Sequence, residues 1–362
     1  MIVLAFESSC DETAAAILET DAAGLIRVRA NIVASQIPVH RLYGGVVPEI
    51  ASRAHVEAIS GITREALDTA GVALSEVDLI AVTDHPGLIG ALLIAVNFAK
   101  ALASAHRIPL VGVDHIRGHI AAAYLQTGET PQPVPKPPYL ALALSGGHTS
   151  IYHVKSYTDW ETIGSTRDDA IGEAFDKIGR LIGLEYPAGA AFDKLAAEGF
   201  KLATGTDAPT LAQYERSEAG RDPAFRLPSP ALAGETLDFS FSGLKTAAIN
   251  LLHHLEQTGE ELPRALFAAR YTALCVEAVK RKIGQAMDRY PGLPLVAAGG
   301  VAANSHLRRE LAALAKTRRT ALYLPPLAFC GDNAAMIGAQ GYYEYLAGNL
   351  RDSSLNASAL DL

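Results

Sequence analysis

Apolar residues in this chain fall in short runs that end on polar turns, and the runs come in two periods. Residues 2–6 are continuously apolar, stop at the polar turn Glu7-Ser-Ser-Cys-Asp-Glu-Thr13, and are followed by a second apolar run over 14–18. Residues 139–144 lead in the same way into Ser145-Gly-Gly-His-Thr-Ser150 and on to residues 151–154, Ile-Tyr-His-Val. Short apolar runs bounded by turn residues read as buried strands, so each passage predicts strand, tight turn, strand. Two further runs, 79–82 and 295–298, end on Pro86-Gly87 and Gly299-Gly300, and each opens a helical stretch, the second near Asn304. Three-and-four spacing of apolar positions predicts helices over 53–70, 169–182 and 266–287. Residues 211–235 mix both periods with turn residues and give no assignment.

The same strand–turn–strand device in both halves, with helices interleaved, predicts an α/β protein of two duplicated lobes facing a nucleotide cleft. Between the halves, Thr130-Pro-Gln-Pro-Val-Pro-Lys-Pro-Pro138 favours extended backbone and continues neither helix nor central strand, so it reads as a linker. The expected division is an N-terminal lobe over 1–129, the linker 130–138, a C-terminal lobe over 139–331 and a tail over 347–362. A helix over 332–346 is expected to pack back on the first lobe.

Composition excludes several classes. With 362 residues, 49% hydrophobic and 19% charged, the chain can bury a core of two-domain size. A net charge of -8 gives no global basic field for nucleic acid, although a local basic groove is compatible with it. Three unpaired cysteines, Cys10, Cys275 and Cys330, argue against a disulfide framework and for a reducing, cytoplasmic setting. The run over 2–6 is too short for a signal segment, and Asn97 and Lys100 interrupt the apolar stretch that begins at Leu88, so no membrane segment is expected.

The chemistry centres on His115-Ile-Arg-Gly-His119. Two imidazoles four residues apart share one helix face and can grip a divalent ion, although two ordinary half-buried histidines would have the same spacing. Ile116 stands where a zinc protease of the HExxH type carries its general-base glutamate, which disfavours proteolysis. Asp332 offers an oxygen ligand that would complete a two-His, one-carboxylate set, or it is a loop acid. The turn Leu144-Ser-Gly-Gly-His148 suits a phosphate or carboxylate cradle as well as a plain hairpin turn. Asp11 and Glu12 could position a metal or polarise a nucleophile, or simply be solvated turn acids. Asp176 has the character of a ribose ligand, and Asn304 of either a nucleotide contact or a helix N-cap.

Taken in order, Glu7-Ser-Ser-Cys-Asp-Glu-Thr13, Leu42-Tyr-Gly-Gly-Val-Val-Pro-Glu49, His115-Ile-Arg-Gly-His119, Leu144-Ser-Gly-Gly-His-Thr149, Gly172-Glu-Ala-Phe-Asp-Lys177, Phe239-Ser-Phe-Ser-Gly-Leu-Lys245 and Gly299-Gly-Val-Ala-Ala-Asn304 resemble the TsaD family. These are tRNA N6-adenosine threonylcarbamoyltransferases of the actin/sugar-kinase/Hsp70-like superfold. The resemblance runs from about residue 2 to 346. It implies that His115, His119 and Asp332 bind one divalent metal, iron by preference and zinc as the alternative. It further implies that Leu144, Ser145, Gly146, Gly147, His148, Asp176, Gly189 and Asn304 hold the nucleotide part of the substrate.

The implied reaction moves a threonylcarbamoyl group from L-threonylcarbamoyladenylate to N6 of adenine 37, next to the anticodon, in tRNAs reading codons that begin with A. Asp11 or Glu12 is the expected proton acceptor, from loop position alone. Implied partners are tRNA, a non-catalytic paralogous subunit and a small ATPase subunit, with no membrane. The chain departs from the family pattern at Ser8 for Thr, His85 for the first Gly of Gly-Pro-Gly, Ala188 for the first Gly of Tyr-Pro-Gly-Gly, and Gly331 for Thr. The rival readings are another carbamoyl or phosphoryl transferase of the same superfold and a non-enzymatic ATP-binding scaffold; fold alone would not separate them.

Overall fold

A computed structural model describes residues 1–128, 130–222, 226–230, 232 and 234–360. The expected lobe boundary at 129, part of the unassigned 211–235 stretch and the last two residues of the expected tail lie outside these. The chain separates into two compact units. One comprises Met1–Pro137, Val154–Trp160 and Tyr323–Leu362, the other Pro138–His153 and Glu161–Leu322.

The first unit is built on strands β1 (Ile2–Glu7), β2 (Glu12–Thr20), β3 (Ile26–Ser35), β4 (Leu79–His85), β5 (Leu110–Asp114) and β6 (Leu125–Gln126), in the order β5-β4-β1-β2-β3-β6. β1 runs antiparallel to β2 and parallel to β4. Its helices are α1 (Ile37–His40), α2 (Pro48–Ala70), α3 (Ile89–His106), α4 (His115–Ala121) and, from the end of the chain, α12 (Ala334–Leu346). Alternation sends Leu4, Phe6, Ile17, Ile80 and Val82 into a core shared with Ile59, Ile62, Ala95 and Ala99 of α2 and α3. Ala5, Leu18 and Ala81 face the other way, toward α12, whose Gly338 and Gly341 leave no room for a Cβ against them. Both sheet faces are covered, and this is why the central strands read as uninterrupted apolar runs.

Two segments differ from the sequence expectations. The apolar stretch after Leu88 continues through Asn97 and Lys100 as the 18-residue α3, long and apolar enough to cross a membrane by length and composition. Here Ala91, Leu92, Ala95, Val96 and Ala99 are buried, and Lys100 Nζ donates to Leu355 O at 2.9 Å. The segment after α12 also returns to the core: Arg351 N donates to Leu110 O on β5, and Leu355 joins the cluster under α3.

The second unit holds β7 (Tyr139–Leu144), β8 (Thr149–Val154), β9 (Trp160–Ser165), β10 (Leu295–Ala298) and β11 (Leu322–Tyr323), in the order β11-β10-β7-β8-β9. Read from β3, the first sheet has the same order, 3-2-1-4-5, so the duplication seen in the sequence is a duplication of topology. Its helices are α5 (Ile171–Leu181), α6 (Gly189–Thr204), the short α7 (Leu211–Arg216) and α8 (Glu218–Arg221), α9 (Ser242–Thr258), α10 (Arg264–Arg289) and α11 (Ser305–Arg318). Edge-on contacts of Phe175 with Phe192 and Tyr271, at 5.2 and 5.8 Å between ring centres, tie α5, α6 and α10 together.

Candidate metal centre and substrate loops

β5 ends at Asp114, whose side chain accepts hydrogen bonds from Ile116 N at 2.6 Å and Arg117 N at 3.1 Å and so starts α4. His115 and His119 then stand one turn apart with ring centres 4.6 Å apart. Asp332 arrives from the far end of the chain, just before Asn333 caps α12. Its Oδ1 lies 3.6 Å from His115 Nε2 and 3.2 Å from His119 Nε2. One ligand atom from each of the three falls within 4.8 Å of the others.

The donor set fits a divalent cation. Both ring nitrogens of the buried His119 lack a hydrogen-bond partner; the short approach of Nε2 to Asp332 does not have hydrogen-bond geometry. An unsatisfied buried imidazole aimed at a carboxylate is costly unless something else binds it. His115 is oriented from behind, since its Nδ1 donates to Glu7 Oε2 at 3.0 Å with Ser9 Oγ 3.1 Å away. That turns Nε2 toward Asp332, and when the ring gives up one proton to a metal the other stays on Nδ1, the arrangement in which an outer carboxylate fixes the tautomer of a ligating histidine. Glu7 is itself held by Thr83 Oγ1 at 2.6 Å and by Ser9 N.

Burial opposes charge on both members of the Glu7–His115 pair, but their mutual attraction wins. His115 is raised to about 9, with Asp332 adding to the effect of Glu7, and Glu7 is held below the usual carboxylate range by the charge and hydrogen bond of His115. Sequence reasoning missed Glu7 as an orienting group. Its signal was available: it is the one charged residue closing a strand whose other core positions are apolar.

The turn between β1 and β2 lies in the same unit. Burial pushes Glu12 up to about 7, helped by the charges of Asp11 and Asp332 and opposed by the hydrogen bond from Ser35 Oγ to Oε1 at 2.8 Å. Its Oε2 is buried without a hydrogen-bond partner. Asp11 is also raised, by burial and then by Asp332. Burial pushes the neighbouring Cys10 thiol far up, which removes it as a thiolate nucleophile. His55 braces this turn: Nε2 donates to Cys10 O at 3.0 Å, and Nδ1 lies 2.7 Å from Thr13 Oγ1.

The remaining expected residues belong to the second unit. Leu144 ends β7, and Ser145 and His148 close the turn by Ser145 N to His148 O, 2.9 Å, and His148 N to Ser145 Oγ, 3.1 Å, leaving Gly146 and Gly147 exposed. Gly299, at φ 95°, lies so close to Leu144 that a Cβ would strike its carbonyl. Gly172 is pressed in the same way against Ser145 and Gly146. Asp176 Oδ1 accepts from Ala188 N at 2.8 Å, fixing the residue before Gly189 at the start of α6. Asn304 caps α11 by accepting from Leu307 N at 2.9 Å.

Two sheets of one repeated topology, with two buried histidines and a half-buried aspartate gathered on the first, define an α/β protein of the actin/sugar-kinase/Hsp70-like fold with a candidate divalent-metal centre. HypF from T. kodakarensis, 14% identical, shares this fold with a TM-score of 0.52 over 99% of this chain and 49% of its own. The profile of the family described as tRNA N6-adenosine threonylcarbamoyltransferase matches residues 27–339, and the chain belongs to that family, TsaD. It is 48% identical over 355 residues to the tRNA N6-adenosine threonylcarbamoyltransferase of Moorella thermoacetica, covering 98% of this chain and 95% of the relative. The protein of the same description from Lactobacillus delbrueckii subsp. bulgaricus is 46% identical over 98% of this chain and 94% of its own.

Proposed function

We propose that this chain transfers the threonylcarbamoyl group of L-threonylcarbamoyladenylate to N6 of adenosine 37 in tRNAs that read codons beginning with A. Membership of the family supports the reaction, and the observation that carries the site is the meeting of His115, His119 and Asp332 with Glu7 behind His115. The reaction is acyl transfer from a mixed anhydride: the exocyclic amine attacks the carbamoyl carbon, the bond to the phosphate oxygen breaks, and AMP leaves with the electron pair. A divalent ion on the three ligands, iron in this reading, with zinc the alternative, supplies Lewis-acid stabilisation of negative charge.

Glu12 accepts the proton lost by the attacking amine. Its raised pKa places it near neutrality, where a carboxylate is an effective base, and its Oε2 has no hydrogen-bond partner within the protein. Asp11, its neighbour, is the alternative acceptor. In the second unit, the turn from Leu144 to His148, with Asp176, Gly189 and Asn304, holds the adenylate. Asp176 acts there partly through Ala188 N, keeping the residue before Gly189 in place.

The protein works in the cytoplasm with a non-catalytic paralogous subunit and a small ATPase subunit. Those partners supply much of the grip on tRNA, because the net charge is -8 and two of the cations here, Lys177 with Asp169 and Glu173, and Arg318 with Asp288, are engaged in ion pairs.

The test is a tRNA modification assay with the adenylate donor supplied and the partner subunits present. Wild type should modify tRNA, while His119→Ala and Asp332→Ala should lose both metal and transfer. Full transfer by metal-free Asp332→Ala protein would sink the assignment.

A further inference from the structure

The end of β4 carries a histidine that neither the ligand set nor the substrate loops use. β4 and β5 pair from Ile80 with Leu110 to Thr83 with Val113, and the register then skips a residue so that His85, not Asp84, stands opposite Asp114. Such irregularities re-aim side chains next to functional sites. The carboxylate of Asp84 lies over Gly112, where any Cβ would collide with it. Asp84 is buried, and its carbonyl accepts from Ser358 N of the C-terminal segment at 2.9 Å.

A row of three side chains results. Asp84 Oδ1 is 2.6 Å from His85 Nδ1, and His85 Nε2 is 3.7 Å from Asp114 Oδ2. Asp114 Oδ1 is engaged in capping α4, and Arg117 Nε faces Oδ2 at 3.9 Å. Burial works against charge on His85, but the hydrogen bond to Asp84 and the charges of Asp84 and Asp114 outweigh burial and the opposing Arg117, so its pKa is raised. Nδ1 of the ring thus faces one carboxylate and Nε2 the other.

Asp114 is the residue immediately before His115. The orientation of its carboxylate sets where the first turn of α4 begins, and both imidazoles ride on that helix. We propose that His85 is a positioning residue for the metal centre: by holding Asp114 in its capping orientation, it fixes the angle at which His115 and His119 meet Asp332. This rests on reading those three residues as a metal site. The TsaD pattern has glycine at position 85, so the device distinguishes this chain from that pattern.

The experiment is a Co²⁺ titration of the full chain stripped of metal, followed by the d–d absorption of the bound ion. Wild type, His85→Gly, His85→Gln and Asp84→Asn are compared, with thermal melting alongside. We expect His85→Gly to bind Co²⁺ about tenfold more weakly, with altered d–d bands, the low end of the loss that follows when groups orienting metal ligands are removed. Asp84→Asn should weaken binding in the same direction, and His85→Gln, whose amide still donates toward Asp114, should recover part of the loss.

Affinity within twofold of wild type in His85→Gly, or a lowered melting temperature with unchanged affinity and spectrum, would overturn the inference. If His85→Gly does not fold, Asp84→Asn is judged by the same outcomes; failure of both to fold would also overturn it, as the row would then serve the fold. A wild-type chain that takes up no Co²⁺ would remove the metal reading itself, an outcome distinct from equal binding by wild type and variant.

Discussion

Replacing Glu7 by glutamine changes one atom and reverses one hydrogen bond, and its effect can be worked through from the structure. Glu7 accepts from Ser9 N on one oxygen, and from Thr83 Oγ1 and His115 Nδ1 on the other. Glutamine has a single acceptor oxygen, so its amide group must point either at Ser9 N, donor against donor, or at His115. In the second orientation His115 Nδ1 becomes the acceptor and the proton moves to Nε2, the atom that faces Asp332. Raised to about 9, His115 must give up a proton before it ligates a metal in either protein; Glu7 keeps the remaining proton on Nδ1 and frees Nε2, whereas the glutamine favours leaving it on Nε2. Loss of an outer partner generally costs about 10–100-fold in metal affinity, roughly 1.4–2.7 kcal/mol.

Ser9 Oγ, 3.1 Å from the same nitrogen, can still accept its proton and restrains the loss, so the lower end of about tenfold is expected. Equilibrium dialysis against Co²⁺ or Fe²⁺ under anaerobic conditions measures this directly, and transfer to tRNA at saturating metal should recover most of the activity. Glu7→Gln protein that binds metal as tightly as wild type would refute the argument that Glu7 sets the tautomer of His115.

Three further outcomes follow from other parts of the molecule. If Glu12 is the proton acceptor, kcat/KM should rise with pH through about 7, because the carboxylate is protonated and inactive below its raised pKa and ionised above it; Glu12→Gln should remove that limb and lower the rate by roughly 10²–10⁴, and an unchanged profile in the variant would assign the limb elsewhere. Asp176→Ala should raise KM for the adenylate with little change in kcat, since its contacts serve bound substrate and transition state alike; a fall in kcat alone would place Asp176 in the chemistry. Gly338→Ala should lower stability by about 1–3 kcal/mol in denaturant unfolding, because its Cβ would press on Leu18 and Ala5 in a filled core, and wild-type stability would show that α12 can shift freely.

The duplication, though not the strand order, was legible because buried strands in both halves are apolar at successive positions and stop on conspicuous turns, as at Phe6 and Leu144. β3 was not, because its sequence Ile-Arg-Val-Arg-Ala-Asn alternates on a partly exposed strand and carries no turn signal comparable to Ser145-Gly-Gly. At the candidate metal centre, His115 and His119 are paired by spacing, which two ordinary histidines of a helix would share. Asp332 is more than two hundred positions away, so the sequence offered it equally as an oxygen ligand or a loop acid until the resemblance favoured the first. Glu7 and His85 act through contacts made by strand pairing, and pairing register is a property of two segments at once. The segment after α12 looked featureless because its anchoring depends on one side chain, Leu355, and on backbone hydrogen bonds.

Completion of the first unit by its last residues has a consequence for biogenesis. α12 covers β1, β2, β4 and β5, and the loop before it delivers Asp332, yet a whole second unit is encoded in between. On a ribosome adding about 5–20 residues per second, that intervening stretch takes roughly 10–40 s to appear. Throughout that interval the face of the first sheet that receives Gly338 and Gly341 lacks its own helix, and the two histidines lack their third ligand. If these three residues are the metal ligands, metal capture is thereby tied to finishing the polypeptide: a message cut short between codons 119 and 332 yields a chain that carries both imidazoles but lacks the residue that would complete the three-ligand set.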